Sequence, residues 1–361
     1  MYQCMSLQLD PERISAKFSP RTAAEPCYPF GSQPRGASAV KRREVITLLA
    51  GAAALPLARH TQGAVKPAPH LGVLLYGTPD PNYDSFRRGL RELGYVEGQS
   101  IVLELRSAEG EPERLPMLAR ELVALKPDLI YVLGGDVAPF ARAATGTIPI
   151  VMAVSNDPVQ SNLVASLAHP GGNMTGVTFM SSDLAAKRLQ FLHELAPQLS
   201  RIAVLWNPDH VDPEYREIQA AGKTLGIQVH SLEARSRADL ESAYQTALNV
   251  RAEALMPVSS RLVTLDRAGI LAFTDRHRLL LASGWGPWAR EGALLSYGPD
   301  LDDTTRRSAG QVDKILRGAS PADIPIEQPT RFQLVLNART AKRLGLTIPE
   351  KLLAFADEVI Q

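Results

Sequence analysis

From residue 71 onward, short apolar runs rich in β-branched residues alternate with amphipathic stretches of roughly a dozen residues, the pattern of βαβ units and parallel sheets. In the first half the runs 71–76, 101–107, 129–133, 150–154 and 175–179 predict strands, and 83–93, 112–125 and 137–144 predict helices. Within 112–125, Leu115, Leu118, Ala119, Leu122 and Leu125 recur at helical spacing, and Gly94 ends the first helix as a sterically cheap C-terminal residue. The second half repeats the scheme. Strands are expected at 201–206, 227–233, 254–258, 279–283 and 293–297, with helices at 213–225, 237–250, 263–276 and 303–316. A further strand at 332–337 precedes helices at 338–344 and 349–359.

Two sets of five strands are too many, too regularly spaced, for one small sheet. The pattern therefore predicts an α/β protein of two doubly wound parallel-sheet lobes, with joins near 180–185 and 298–303. The division expected is lobe 1 at 65–181 plus 300–361 and lobe 2 at 182–299, after an extension at 1–64. The simplest packing sends the C-terminal part back to the first lobe.

Open α/β sheets bind ligands beyond the carboxyl ends of their strands. Those ends supply Tyr76, Thr78, Gly135, Asp136, Ser155, Asn156, Asp157, Thr178, Trp206, Asn207, Ser259, Trp285 and Tyr297 as candidate ligand-binding residues. The set is small, polar and aromatic, which suits a cleft gripping a small polar solute. For an amino-acid zwitterion, groups near Thr78, Gly135 and Thr178 are expected to meet the carboxylate and Asp157 the ammonium, with Trp206, Trp285 and Tyr297 as walls. Asp136 and Asp157 read equally well as caps of the segments that follow them.

Catalytic patterns are missing. The turn after the first strand, Tyr76-Gly77-Thr78-Pro79-Asp80-Pro81, is no G-x-G-x-x-G, and Walker A, H-E-x-x-H and G-x-S-x-G sequences do not occur. The seven histidines are scattered, and His210, in a loop, reads as a surface residue before it reads as a base. No catalytic residue, metal or cofactor is expected. His169-Pro170-Gly171-Gly172-Asn173 reads as a tight loop into a strand, since no helix follows it to bind phosphate. A net charge of +1 argues against nucleic acid as a partner.

That balance conceals an asymmetry: residues 1–64 carry four surplus positive charges and both cysteines, Cys4 and Cys27, leaving 65–361 mildly acidic and free of thiols. Lys41-Arg42-Arg43 precedes a weakly apolar run at 45–58, too short to span a membrane. This layout is that of an export signal and resembles a twin-arginine signal, with cleavage expected near Gly63 or Ala64. Residues 1–39 lack periodicity and read either as a disordered tail or as sequence upstream of a start at Val40.

Several segments are distinctive together: Lys41–Leu49, Ile148-Pro149-Ile150-Val151, Asn156-Asp157-Pro158-Val159, 163–177, Phe86-Arg87-Arg88-Gly89-Leu90 and Leu93–Gly98. In this order the chain resembles the ABC-transporter substrate-binding proteins whose best-studied members bind tryptophan or other aromatic amino acids, over essentially all of 41–361. The resemblance implies a type I periplasmic-binding-protein fold, two lobes joined by a three-crossover hinge. It implies a non-catalytic periplasmic protein, expected to be a monomer, that hands a small-molecule solute, with an amino acid or related compound among the candidates, to an ABC permease in the inner membrane. Ser155, Asn156 and Asp157 match the family's V-x-x-D-P-V loop, and Thr178 the position after G-V; where many relatives have glycine, this chain has Asn162. The alternatives are a soluble α/β enzyme, which would need a convergent base and nucleophile, and the ligand-binding part of a regulator, which would need a DNA-binding segment before the first lobe.

Overall fold

The computed structural model describes residues 67–210 and 213–361. The expected export signal at 41–58, its cleavage site and both cysteines lie outside the described residues.

Strands β1 (His70–Leu75), β2 (Val102–Ser107), β3 (Leu129–Leu133), β4 (Ile150–Val154) and β5 (Met174–Thr178) form an all-parallel sheet in the order β2-β1-β3-β4-β5. Every residue of β3, β4 and β5 is buried, as expected for parallel strands covered on both faces. Helices α2 (Leu115–Ala124) and α3 (Ala138–Ala144) cover one face, packing Leu115, Leu118 and Leu122 on Leu74, Ile130 and Val132. The other face carries α1 (Pro81–Glu92), whose Phe86 ring stacks on Tyr131 at 3.6 Å between centroids.

The second sheet repeats that order. It contains β6 (Arg201–Trp206), β7 (Gln228–Glu233), β8 (Ala254–Pro257), β9 (Leu280–Ser283) and β10 (Leu295–Pro299), arranged β7-β6-β8-β9-β10. Helices α4 (Ser181–Leu195) and α5 (Glu214–Leu225) pack on one face, against Ile202, Val204 and Met256. On the other face lie α6 (Leu240–Asn249), α7 (Arg261–Leu265), α8 (Arg267–His277) and α9 (Gly286–Glu291). One hydrophobic core runs through both lobes, from Phe86 and Tyr131 by way of Phe179 and Trp285 to Tyr244 and Ile270. Two doubly wound sheets in one chain are therefore present.

After β10 the chain crosses back as α10 (Leu301–Leu316), which lies beside α1, and Ser308 on it meets the Tyr131 hydroxyl at 3.1 Å. Glu327 then borders β5, donating its N–H to the Gly176 carbonyl and accepting from Thr178 N–H, both at 2.9 Å. Beyond it the chain leaves the first lobe: β11 (Phe332–Asn337) pairs antiparallel with β10, and β12 (Glu358–Ile360) pairs with β11 after α11 (Ala338–Leu344) and α12 (Glu350–Phe355). The expectation that all of 300–361 rejoins lobe 1 is thus corrected for 332–361. An exposed β10 edge is a free pairing template, whereas the matching edge at β5 is already bordered by Glu327.

Other differences have local causes. The fifteen-residue α4 was not expected, because Arg188 interrupts its apolar stripe of Ala185, Leu189, Leu192 and Leu195. The helix expected at 263–276 is two, α7 and α8, meeting at Asp266, whose carboxylate accepts the Tyr244 hydroxyl at 2.7 Å. The closing helix expected at 349–359 stops at Phe355, and its tail becomes β12.

Helices α1 and α10 touch at Gly89, where a Cβ would sit 2.2 Å from the Arg306 carbonyl oxygen. At an open helical site Gly→Ala gains up to ~1 kcal/mol. Here Gly89→Ala is expected to cost about 1–3 kcal/mol, because the backbone of α10 must shift; urea denaturation checks the sign.

Candidate functional site

A cavity of about 300 Å³ lies between the lobes. Thr78, Asp80, Pro81 and Ser155 reach it from the first lobe, and Ser259, Ser260, Arg261, Trp285 and Trp288 from the second. Phe179, on the first crossing between lobes, meets Trp285 edge-on at 5.8 Å and 82°, giving the cavity an aromatic wall. Leu265 and Leu301 add apolar surface, and Arg267 and Glu291, paired at 2.9 Å, stand among the remaining lining groups.

The polar side is built around Arg261. Residue 261 opens α7 after Ser260, whose hydroxyl accepts the Val263 N–H at 3.4 Å as an N-cap. The Arg261 side chain, only 9% exposed, enters the first lobe: Nη2 donates to Asp80 Oδ2 at 2.9 Å. Its backbone N–H donates to Asp136 Oδ2 at 3.0 Å. A Cβ at Gly134 would sit 2.8 Å from Arg261 Cγ, and Gly134 has φ of +120°, so only glycine fits that approach. Arg261 Nε is buried and has no hydrogen-bond partner among the described residues. Asp80 meanwhile caps α1, its Oδ1 accepting from Tyr83 N–H at 3.0 Å.

Two further contacts close the cleft. Ser155 Oγ donates to the Ser259 carbonyl at 2.8 Å, and Asp136 pairs through Oδ1 with His210 Nδ1. Burial pushes the Asp136 carboxyl up, but the charge and hydrogen bond of His210, with the N–H and guanidinium of Arg261, outweigh it and hold the group below its usual value. His210 is buried rather than at the surface, and Asp136 does not cap α3, whose N-cap is Val137. Both differences have one cause, since the opposite lobe covers the loop.

Of the thirteen candidate residues, the cavity brings together Thr78, Ser155, Ser259 and Trp285. Gly135 lies next to its wall, backed by Asn156 and His210. Asp136 acts on its rim, through Arg261. Asn156 donates from Nδ2 to Ser161 Oγ at 2.7 Å. Asp157 and Thr178 line a separate small cavity instead. The Asp157 carboxylate accepts the N–H groups of Val159 and Gln160 at 2.8 and 3.1 Å, forming a cap-like turn within its own loop. That turn ends at Asn162, whose φ of +54° is the left-handed conformation glycine or asparagine best tolerates.

Tyr76 is buried among Leu115 and Val132, and burial, then the charge of Asp136, pushes its phenol up to about 12. Trp206 stacks on Tyr215 at 4.4 Å over a different cavity, and Asn207 Oδ1 accepts the Asp209 N–H at 2.9 Å. Tyr297 packs edge-on against Phe191 inside the second lobe.

Asp80, Arg261, Phe179 and Trp288 were missed. Asp80 lies two residues past Thr78, the last strand-end candidate of its turn, and Arg261 one residue past the strand-end serines. Trp288 belongs to α9, an element not foreseen. A strand-end rule extended by two or three residues, into the first turn of each following helix, would have found Arg261 and Trp288.

The model of the family described as ABC transporter substrate binding protein matches residues 78–360. A curated tyrosine-binding protein from Clostridioides difficile is 25% identical over 284 residues, covering 74% of this chain and 78% of that protein. The crystal structure of an ABC domain in complex with L-Trp from Streptococcus pneumoniae is similar, with 26% identity, TM-score 0.75, and coverage of 81% of this chain and 99% of that one. A conserved domain protein from Vibrio cholerae shares 27% identity over the same fractions, also with TM-score 0.75. Sugar-alcohol-bound solute-binding protein from Agrobacterium vitis, at 17% identity and TM-score 0.54 over 76% of this chain and 97% of that one, shares the fold alone. The twin sheets are those of a type I periplasmic binding protein, and the chain belongs to the ABC transporter substrate-binding protein family.

Proposed function

We propose that this substrate-binding protein captures an α-amino acid with an aromatic or large apolar side chain and delivers it, unaltered, to an ABC permease. The observation that carries the reading is Arg261, buried beside an aromatic wall with Nε unpartnered among the described residues and Asp80 next to it. A carboxylate suits the guanidinium, which offers donors in a fixed fork. Asp80, beside Arg261, is placed for an ammonium, in place of Asp157. Phe179, Trp285 and Trp288 suit a flat apolar side chain. L-Trp in the streptococcal structure and tyrosine in the clostridial protein's name agree with this class.

Binding and closure are one equilibrium here. Ligand favours the closed lobes only as far as it binds them better than the open ones. Taking a cleft from 1:99 to 99:1 closed needs ~5.5 kcal/mol of such preference. Two or three charge-assisted hydrogen bonds at ~1.5–3 kcal/mol each are of that order. We also place the protein in the periplasm, as a monomer, exported through the twin-arginine-like signal at 41–58. Extracytoplasmic placement is typical of the family, and no described helix is long and apolar enough to cross a membrane. No nucleic acid is assigned as partner, and no catalysis.

Thermal-shift and calorimetric screening of the mature protein should give a saturable response to L-tryptophan or L-tyrosine and none to sugars; a response to sugars alone would reject the ligand class. Arg261→Met should weaken binding about tenfold or more, and unchanged affinity would remove Arg261 from the site. The depressed Asp136 carboxyl contributes to closure above the usual carboxylate range and loses that contribution only as pH falls through its lowered value. Affinity should therefore hold from neutrality to about pH 4 and fall below it. Asp136→Asn should be weaker already at neutral pH with a flatter acid limb, and a wild-type profile in this variant would contradict the role. Replacing Arg42 and Arg43 by lysine should leave precursor in the cytoplasm on fractionation.

A further inference from the structure

Beneath the cavity floor, within the second lobe, lies an ion pair that neither touches the cavity nor faces water. Arg188 on α4 is 1% exposed and Glu214, the first residue of α5, is fully buried; Arg188 Nη1 pairs with Glu214 Oε1. Removing two charges from water costs several kcal/mol per ion, so such a pair adds little net stability compared with apolar residues of similar size. What the pair holds is more informative than its own strength.

Each partner grips backbone at a functional place. Arg188 Nη2 donates to the Ser181 carbonyl, where the first crossing between lobes enters α4. Glu214 Oε2 accepts the Ser259 N–H at 2.9 Å, and its Oε1 the Ser259 hydroxyl at 3.4 Å. Ser259 in turn lines the cavity and accepts Ser155 Oγ across the cleft. The guanidinium also runs under the turn that carries Trp285: a Cβ on Gly284 would sit 3.0 Å from Ser259 Oγ and 3.4 Å from Arg188 Cζ. Hinge, serine loop and tryptophan turn thus meet on one buried charge pair.

We infer that Arg188 and Glu214 are positioning residues for the binding site: they fix the Ser259 backbone and the Trp285 turn relative to the first interlobe crossing, so that hinge closure brings Ser259 onto Ser155 in register. The inference rests on the cleft being the binding site but not on which solute it takes. A purely structural pair would affect only stability. A positioning pair affects local order at Ser259 and affinity while stability is kept.

The test replaces both charges together, because removing one alone strands the other. Arg188→Met with Glu214→Leu should leave the melting temperature unchanged or raised. Amide exchange at Ser259 should nevertheless quicken at least tenfold while Leu255 and Met256 in β8 keep their protection, and affinity for L-tryptophan or L-tyrosine should fall at least tenfold. Arg188→Lys, which keeps both charges but offers a single point donor in place of the fork that holds Glu214 and the Ser181 carbonyl together, should quicken Ser259 exchange and weaken binding several-fold, and it decides the matter if the double variant fails to fold. Unchanged Ser259 exchange, or faster exchange with unaltered affinity, would overturn the inference. If neither amino acid binds the unsubstituted protein, the ligand class fails on its own and the exchange measurements still judge the positioning role.

Discussion

The closed cleft depends on one side chain crossing it. Arg261 leaves the first turn of α7, passes over Gly134 and lodges between Asp80 and the Asp136 loop, so a single residue of the second lobe is held by three places on the first. Only the contact to Asp80 is the guanidinium's own, Asp136 being held by the backbone N–H, and arginine suits the place because its rigid fork still offers Nε to a second acceptor. Its desolvation is offset by two carboxylates, and the same two carboxylates set the sign of the local field that a zwitterion would meet. Opening the lobes must break these contacts, so under the proposed function the residues that would meet the solute, Arg261 and Asp80, also hold the cleft shut.

Behind that cluster the two lobes are variations on one plan. The first five strands of each sheet run in the same order, and three strand ends deliver a short turn into a helix whose first residues border the cleft: Asp80 and Pro81 at the start of α1, Ser260 and Arg261 at that of α7, Trp285 and Trp288 at that of α9. The groups that meet the cavity are therefore first-turn residues more than strand termini. The core that continues from one lobe to the other through Phe179 and Trp285 explains why the described residues hold together as one compact unit despite two separate sheets.

Much of this was legible in the sequence. Parallel strands buried on both faces read as apolar runs, and β3, β4, β6 and β11 fall at their expected residues. The family resemblance, drawn from segments such as the Asp157-Pro158-Val159 loop, agrees with the family match. Partners distant in sequence decide what the pattern does not show. The charge of Arg188 on the apolar stripe of α4 gives no sign of a buried carboxylate 26 positions away. Strand 332–337 could not declare its sheet, since its apolar run reads the same whichever sheet it joins. Asp157 turns its carboxylate to its own loop through hydrogen bonds of two or three residues' reach, whereas the Thr178 hydroxyl donates to the Asn156 carbonyl 22 positions away.

The late departure of β11 for the second sheet means that the backbone passes between the lobes three times, and the passages lie side by side: Thr178 N–H bonds the Glu327 carbonyl, and Asp300 N–H the Arg331 carbonyl. Three tethers in a row behave as a door hinge and not as a string. They permit swing about the line joining them and resist twist, so the surfaces that meet on closing do so along a fixed arc. Severing any one tether would leave the halves still joined by the other two.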